Sequence, residues 1–400
     1  MNFMSLISVA LFLLVTISAN AQEISENNAP TTHQEAATEN LTAATEQQQQ
    51  SFFALVSSGN AEEVKKLLRD SVDYYAHNRE GESALTVAIK NEDIEMVKLL
   101  VKDAVINVKN KEGETPLTLA IKGGNAEIIQ LICRRAKGSL KNDLGEAPLY
   151  LAVEHNNLFL VEELIKKGAD INRYSNGKTP LAHATELNNI KAIGYLIKEG
   201  ATVNKPNENG ETPLYIAIEN GFDIAAGILI NKTEDPMGDV NWRSKIDETL
   251  LNIAIVKTHP EIVRILLDAG AEVTGQDYFE NNALHIAAAA GNVEIIKDLL
   301  MHGISIDDRN LKGETPLMLA SKSNRSEAVR FLVENGANPE LRDYTGYAVQ
   351  EHVDVSGVEV KKAPDTRSRL SNFQPTKKIE YEEDQKGSGV FINNNNNNNN

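Results

Sequence analysis

Among the 400 residues there is one cysteine, Cys133, and one tryptophan, Trp242, and aromatic residues make up only 5% of the chain. A lone thiol forms no intramolecular disulfide and supplies no cysteine-based structural zinc site, so the fold must be held by packing. Positive charge is also short. Lys and Arg number 40 against 57 Asp and Glu, a formal charge of −17, which argues against a nucleic-acid partner or an anionic membrane surface, since both need clustered basic residues. Catalytic signatures are missing too: the chain has no HExxH, no GxSxG, no phosphate loop ending in Gly-Lys-Ser/Thr and no GxGxxG. No two of the eight histidines (His33, His77, His155, His183, His259, His285, His302 and His352) stand three to five residues apart, the spacing that metal-binding pairs use. Neither a cofactor nor a metal is expected.

Long apolar runs are absent beyond the first residues, and nothing later approaches the roughly 18 needed for a spanning helix. The start, MNFMSLISVALFLLVTISANAQ, has an apolar run from Leu6 to Ile17 and then the small-x-small site Ala19-Asn20-Ala21. That is the form of a secretory signal peptide, although its leading segment carries no Lys or Arg. Cleavage after Ala21 is expected, with an uncleaved anchor or a fortuitous apolar start as the competing readings. No cysteine follows the apolar run, so a lipoprotein-type anchor is excluded, and no stable membrane insertion is expected after cleavage.

What the chain has in abundance is self-similarity. The strings ETPLTLA, EAPLYLA, KTPLAHA, ETPLYIA and ETPLMLA place a marker leucine at Leu117, Leu149, Leu181, Leu214 and Leu317. Degenerate copies place it at Phe52, Leu85, Leu251 and Leu284. Successive spacings from position 52 are 33, 32, 32, 32, 33, 37, 33 and 33, and one more step of 33 lands at Gln350 in a fading copy. A hydroxyl residue two before the marker (Ser83, Thr115, Thr179, Thr212, Thr249, Thr315) can cap a starting helix. A proline one before it (Pro116, Pro148, Pro180, Pro213, Pro316) suits the first helical turn. Alanine three after it lets neighbouring helices approach closely. Seven after it, Gly59, Gly124, Gly221 and Gly291, or Asn156, Asn188 and Asn324, tolerate the left-handed conformation that ends a helix. A second helix with a buried apolar stripe follows, carrying pairs such as Leu266-Leu267 and Leu299-Leu300. Glycine four before the next marker, as at Gly81 and Gly113, permits a tight turn.

With these rules recurring at one period, the chain resembles the ankyrin repeat family. The resemblance implies an all-α repeat solenoid of helix-turn-helix units joined by protruding β-turns, in about nine copies plus a partial one over residues 51–352. One family feature, a histidine after the marker, survives only as His285, with Tyr150, Tyr215, Thr86 and Met318 elsewhere. The spacing of 37 marks an insertion around Asn231 to Asp239 that should bulge from the rim. Each unit depends on its neighbours and the ends need polar caps. Flanking the array, residues 22–50 read as a disordered polar linker, and residues 353–400 as a largely disordered tail ending in eight asparagines. Within that tail VDVSGVEV, Val353 to Val360, alternates as a small hairpin would.

Three features are candidate functional residues. Cys133 aligns with Leu300 of the second helix, so it is expected to fill core. Glu82, Glu114, Glu146, Glu211, Glu248 and Glu314 all stand three before their markers. Such a row favours helix starts through the dipole, or steers a basic partner towards the surface. The turn tips, five and six before each marker, differ along the chain. Early tips are mostly polar (Arg79-Glu80, Lys111-Glu112, Asp143-Leu144, Glu208-Asn209). Later ones are Lys245-Ile246, Tyr278-Phe279, Leu311-Lys312 and Tyr344-Thr345, with Trp242 in the same stretch. Apolar side chains there mark a protein contact, unless the tail folds back over them.

The resemblance implies protein recognition as a class. The resulting expectation is an exported, periplasmic or secreted, non-enzymatic scaffold, of bacterial type, that binds another protein through its concave face and turn tips. The protein-binding candidates are Trp242, Ile246, Tyr278, Phe279, Leu311, Tyr344, Glu114, Glu146, Glu211 and Glu248. The sequons at Asn40, Asn231 and Asn324 leave a eukaryotic secretory route open. An enzyme or metal site assembled across repeats, and a self-assembling solenoid, are the alternatives.

Overall fold

The computed structural model describes residues 47–69, 73, 76–101, 105–137, 140–230, 238–351, 381–383 and 390–392. Among these, nine helix pairs follow one another. Repeat 1 comprises a helix over 47–57 and Ala61–Leu67; repeat 2, Ala84–Lys90 and Ile94–Leu100; repeat 3, Pro116–Gly123 and Ala126–Cys133. Repeats 4, 5 and 6 are Pro148–Glu154 with Leu158–Lys166, Pro180–Glu186 with Ile190–Lys198, and Pro213–Glu219 with Asp223–Ile230. Repeats 7, 8 and 9 are Leu250–Val256 with Pro260–Asp268, Ala283–Ala290 with Val293–Met301, and Pro316–Lys322 with Ser326–Glu334. A 3-10 turn at Val349–Glu351 is all that forms of the tenth first helix, where Ala348 replaces the capping hydroxyl.

Helices this short are unstable alone, so caps and packing must define them. The side chains of Ser83, Thr115, Thr179, Thr212, Thr249 and Thr315 each accept the backbone N–H three residues on. Asn282 does the same in repeat 8. In repeat 4 the capping residue is Ala147, and its own N–H donates instead to Ser175 Oγ of the following turn at 2.9 Å. Every marker residue and every alanine three beyond it is at most 2% exposed. First helices pack on first helices of adjacent repeats, and second helices on second, giving two layers around one continuous core from Phe52 to Val349. Between the second helices of repeats 3 and 4 a cleft of about 150 Å³ is lined by Cys133 and Phe159.

The turn ending each first helix is left-handed, as expected: Gly124 has φ 78° and Asn156 φ 52°. Repeats 2 and 7 put Glu92 (φ 54°) and Thr258 (φ 59°) there. A β-branched residue is strained at positive φ, whereas glycine is not. Thr258→Gly is therefore expected to raise unfolding stability by about 1 kcal/mol, after the entropic cost of glycine in the unfolded chain. Urea denaturation at constant m-value checks this; an unchanged or lower midpoint would refute the strain.

Two boundaries differ from the sequence reading. Residues 47–50, assigned to the linker, are already helical, because glutamine is a good helix former and Gln49 Nε2 anchors the turn by donating to the Asp73 carbonyl at 2.8 Å. After Ile230, the chain rejoins the stack at Gly238, whose N–H donates to the Leu229 carbonyl at 2.7 Å. A Cβ at Gly238 would stand 2.8 Å from that same oxygen, so only glycine fits. Of the expected bulge at 231–239, residues 231–237 lie outside the described residues, as do the hairpin at 353–360 and the signal segment. Strands Tyr381–Glu383 and Val390–Ile392 form an antiparallel pair further along the chain.

Candidate protein-binding surface

Between repeats the chain makes a protruding finger, built by a signal absent from the rules above. Seven residues before the marker stands an asparagine whose side-chain carbonyl accepts the N–H of the glutamate four residues on. Asn110, Asn142, Asn207 and Asn310 do so at 2.8 to 2.9 Å. Such side-chain turns mimic a backbone turn and hold the finger without a strand. Several fingers are also stitched to their neighbours: the N–H groups of Asp143, Glu208, Leu311 and Tyr344 donate to Gly113, Gly177, Phe279 and Lys312 carbonyls. The tips are thus positioned on a firm base.

Of the expected tip residues, Ile246 is 70% exposed, Tyr278 82%, Phe279 56%, Leu311 53% and Tyr344 75%. The Tyr278 and Phe279 rings meet edge-on, with centroids 5.5 Å apart. Four consecutive fingers therefore each hold at least one large apolar side chain in solvent. Leu144, at 69%, shows that one early finger does so as well. Trp242 is not a tip residue. It lies half-buried at the finger base with its ring 5.2 Å from that of Tyr215.

The glutamate row divides in two. Glu82, Glu114 and Glu314 are buried, and each is held by the lysine eight residues on. Lys90, Lys122 and Lys322 reach their glutamates at 2.7 Å and also clamp an acidic group of the next finger: Glu112, Glu146 and Asp343 respectively. Burial raises the carboxyl pKa values of Glu82, Glu114, Glu146 and Glu314, but the lysine and the hydrogen bonds to neighbouring side chains outweigh it and hold all four below the ordinary glutamate value. Glu114 and Glu146 are accordingly not a steering field: their charge is spent inside the stack. Glu211 and Glu248 remain half-buried at the surface with no lysine clamp among the described residues, the positions eight residues on holding Glu219 and Val256.

Cys133 is 4% exposed, and burial pushes its thiol pKa up, which disfavours the reactive thiolate. His285 bridges repeats 8 and 9 by donating from Nε2 to the Glu314 carbonyl at 3.0 Å. Among the described residues there is no group of three or more His, Cys, Asp or Glu placed to hold a metal, and no helix long and apolar enough to cross a membrane. A cleft of about 820 Å³ opens at the helix-turn edge of repeats 4 and 5, beside the exposed Phe159 and Leu187. The sequence reading missed it, since Phe159 and Leu187 look like ordinary helix residues until adjacent repeats are stacked.

A family model described as ankyrin repeats (3 copies) matches residues 52–143, 131–207, 199–277 and 275–343. B-cell lymphoma 3 protein of Homo sapiens is 32% identical over 73 residues, which covers 18% of this chain and 16% of that protein. The chain thus matches only a small part of that relative's length. Helix pairs, caps and left-handed turns repeat across the whole interval that the family model spans, and the chain belongs to the ankyrin repeat family.

Proposed function

We propose that this protein is an exported, non-enzymatic scaffold that captures another protein on the fingers of repeats 7 to 10 and the adjoining face of the first helices. The observation that carries the reading is the set of five large apolar side chains, Ile246, Tyr278, Phe279, Leu311 and Tyr344, each more than half exposed on successive fingers. Side chains at such positions cannot reach the core between repeats, so their burial requires a partner surface. Aromatic residues on a rigid base lose little conformational freedom on binding, which suits them to anchor a contact. Export is supported by the apolar segment ending in Ala19-Asn20-Ala21.

The test joins both claims. Full-length protein expressed in its own cell is recovered from the exported fraction, its intact mass measured, and its neighbours identified by crosslinking and mass spectrometry. A chain beginning at Gln22, crosslinked through the finger region to a reproducible protein, is the expected result. A chain retaining Met1 in the membrane fraction would overturn export, and turnover of a substrate by the purified chain would overturn the scaffold reading.

A further inference from the structure

Across the array, the glutamate at each finger base meets a lysine from its own first helix where repeats 2, 3 and 9 follow the pattern. Repeats 6 and 7 break it. Eight residues after Glu211 comes Glu219, and eight after Glu248 comes Val256, which is 60% exposed. Glu248 meets no lysine or arginine among the described residues, and Glu211 is bonded only through Asn207, whose Nδ2 donates to its carboxylate at 2.7 Å. Glu219 is taken up by Lys257. With Glu208, Lys245 and the Arg243–Asp247 pair on the same fingers, this stretch sets five carboxylates against two lysines and one arginine.

Into the same stretch the chain places its one tryptophan. Trp242 and Tyr215 lie 5.2 Å apart with their planes tilted at 59°, both half-exposed. Glu211 and Glu219 stand four residues before and after Tyr215, and Glu248 lies on the finger that carries Trp242. Burial and these carboxylates push the Tyr215 hydroxyl pKa up, against the opposing effect of Lys257, which Glu219 holds. Elsewhere the array caps a tyrosine with its own cation: Lys205 lies over Tyr174 at 4.5 Å and Lys322 over Tyr347 at 4.6 Å. Over Tyr215 and Trp242 no such cation stands among the described residues.

We propose that the Trp242–Tyr215 pair, bordered by Glu211 and Glu248, is a receptor for a cationic side chain of the protein partner, an arginine by preference. A guanidinium is planar, weakly hydrated and stacks on aromatic faces while its N–H groups donate to carboxylates. The charge complementarity also states what lies beside it in the partner: the receptor opens at the base of the finger that carries Ile246, so a basic residue next to an apolar cluster would fill both. This deepens the scaffold reading and rests on it for the identity of the ligand as a protein.

Trp242 is its own reporter, being the single tryptophan. Full-length protein is titrated with N-acetylarginine amide at constant ionic strength, reading tryptophan emission, with N-acetylcitrulline amide as the uncharged isostere. A saturable change for the arginine compound, with a dissociation constant on the order of 10 mM, and none for citrulline is expected. Glu211→Gln with Glu248→Gln should weaken it at least about fivefold. Val256→Lys supplies the missing clamp at an exposed position, so it should abolish the titration without lowering the melting temperature. An equal response to citrulline, a Val256→Lys variant that binds as before, or no saturable change in folded protein would each overturn the receptor. Tyr278→Ser with Phe279→Ser should leave this titration unchanged. In that variant, unchanged partner capture beside an intact titration would therefore count against the scaffold reading, and a failed titration of the wild-type protein beside normal tip-dependent capture against the receptor alone.

Discussion

Replacing Tyr278 and Phe279 together by serine is expected to weaken capture of the partner by about 2 kcal/mol or more, roughly thirtyfold, while leaving the melting curve nearly unchanged. The two effects separate because the side chains and the backbone do different things here. At 82% and 56% exposure the rings contribute little to folding. The hydrogen bond that holds the neighbouring finger, from Leu311 N–H to the Phe279 carbonyl at 3.0 Å, survives any side-chain change. In a protein contact, by contrast, an edge-on aromatic pair is the kind of anchor whose truncation is felt most. Changing Arg79 and Glu80 on the early finger should do far less. Surface plasmon resonance against the crosslinked partner, run beside thermal denaturation, reads both quantities. A variant that binds normally but melts early would mean that the rings are covered from within the chain, by its own tail.

The largest stability effect is expected at Lys322→Met, which should cost about 2 to 3 kcal/mol at pH 7 and loosen repeat 9 from the final turn. Lys322 lies 2.7 Å from both Glu314 and Asp343, whose side chains are 10% and 1% exposed. Removing the lysine leaves two buried carboxylates facing each other. Breaking a fully buried pair costs about 3 to 5 kcal/mol. The lower figure applies because the lysine is itself a third exposed and water screens its charge. Finger 10 carries Tyr344, so partner capture should weaken in the same variant.

Acid offers a second readout of that network. Burial raises the Asp343 pKa, but Lys322, the Thr345 hydroxyl and the N–H groups of Tyr347 and Thr345 overcome this and hold it well below the usual carboxylate range. Glu314 is lowered too. Groups lowered in the folded state stabilise it fully above their unfolded values, near 4, and lose that contribution as pH falls through the folded values. Without the lysine, burial and mutual repulsion raise both carboxyls. The difference between wild-type and variant should therefore shrink as pH drops from 7 towards 3, in urea titrations at each pH. A gap independent of pH would mean that lost packing, and not charge, carried the effect.

How much of this was legible beforehand depends on whether a position acts within its own repeat. Thr115, Pro116 and Gly124 satisfy or end a helix using groups a few residues away, so their periodic recurrence was enough to place helices and turns. The exposure of the tips followed in the same way, because residues at the end of a protruding turn lie too far out to reach the core between repeats. Even Asn110 and the spacing of eight from Glu114 to Lys122 are present in the sequence as periodic signals.

The sequence by itself determined the period, the helix starts, the left-handed turns and the alternation of core and solvent, because these are settled by local sterics and by which residues withstand water. Only the tertiary structure decided what each charged or aromatic group meets. Glu114 and Glu248 look alike in sequence, yet one is buried under a lysine that also grips the next finger and the other meets no lysine or arginine among the described residues. Trp242 seemed to belong with the tips, but it packs on Tyr215 of the preceding repeat. Each of these outcomes depends on side chains about 30 residues apart being stacked side by side, and Coulomb and ring contacts act only across those few ångströms.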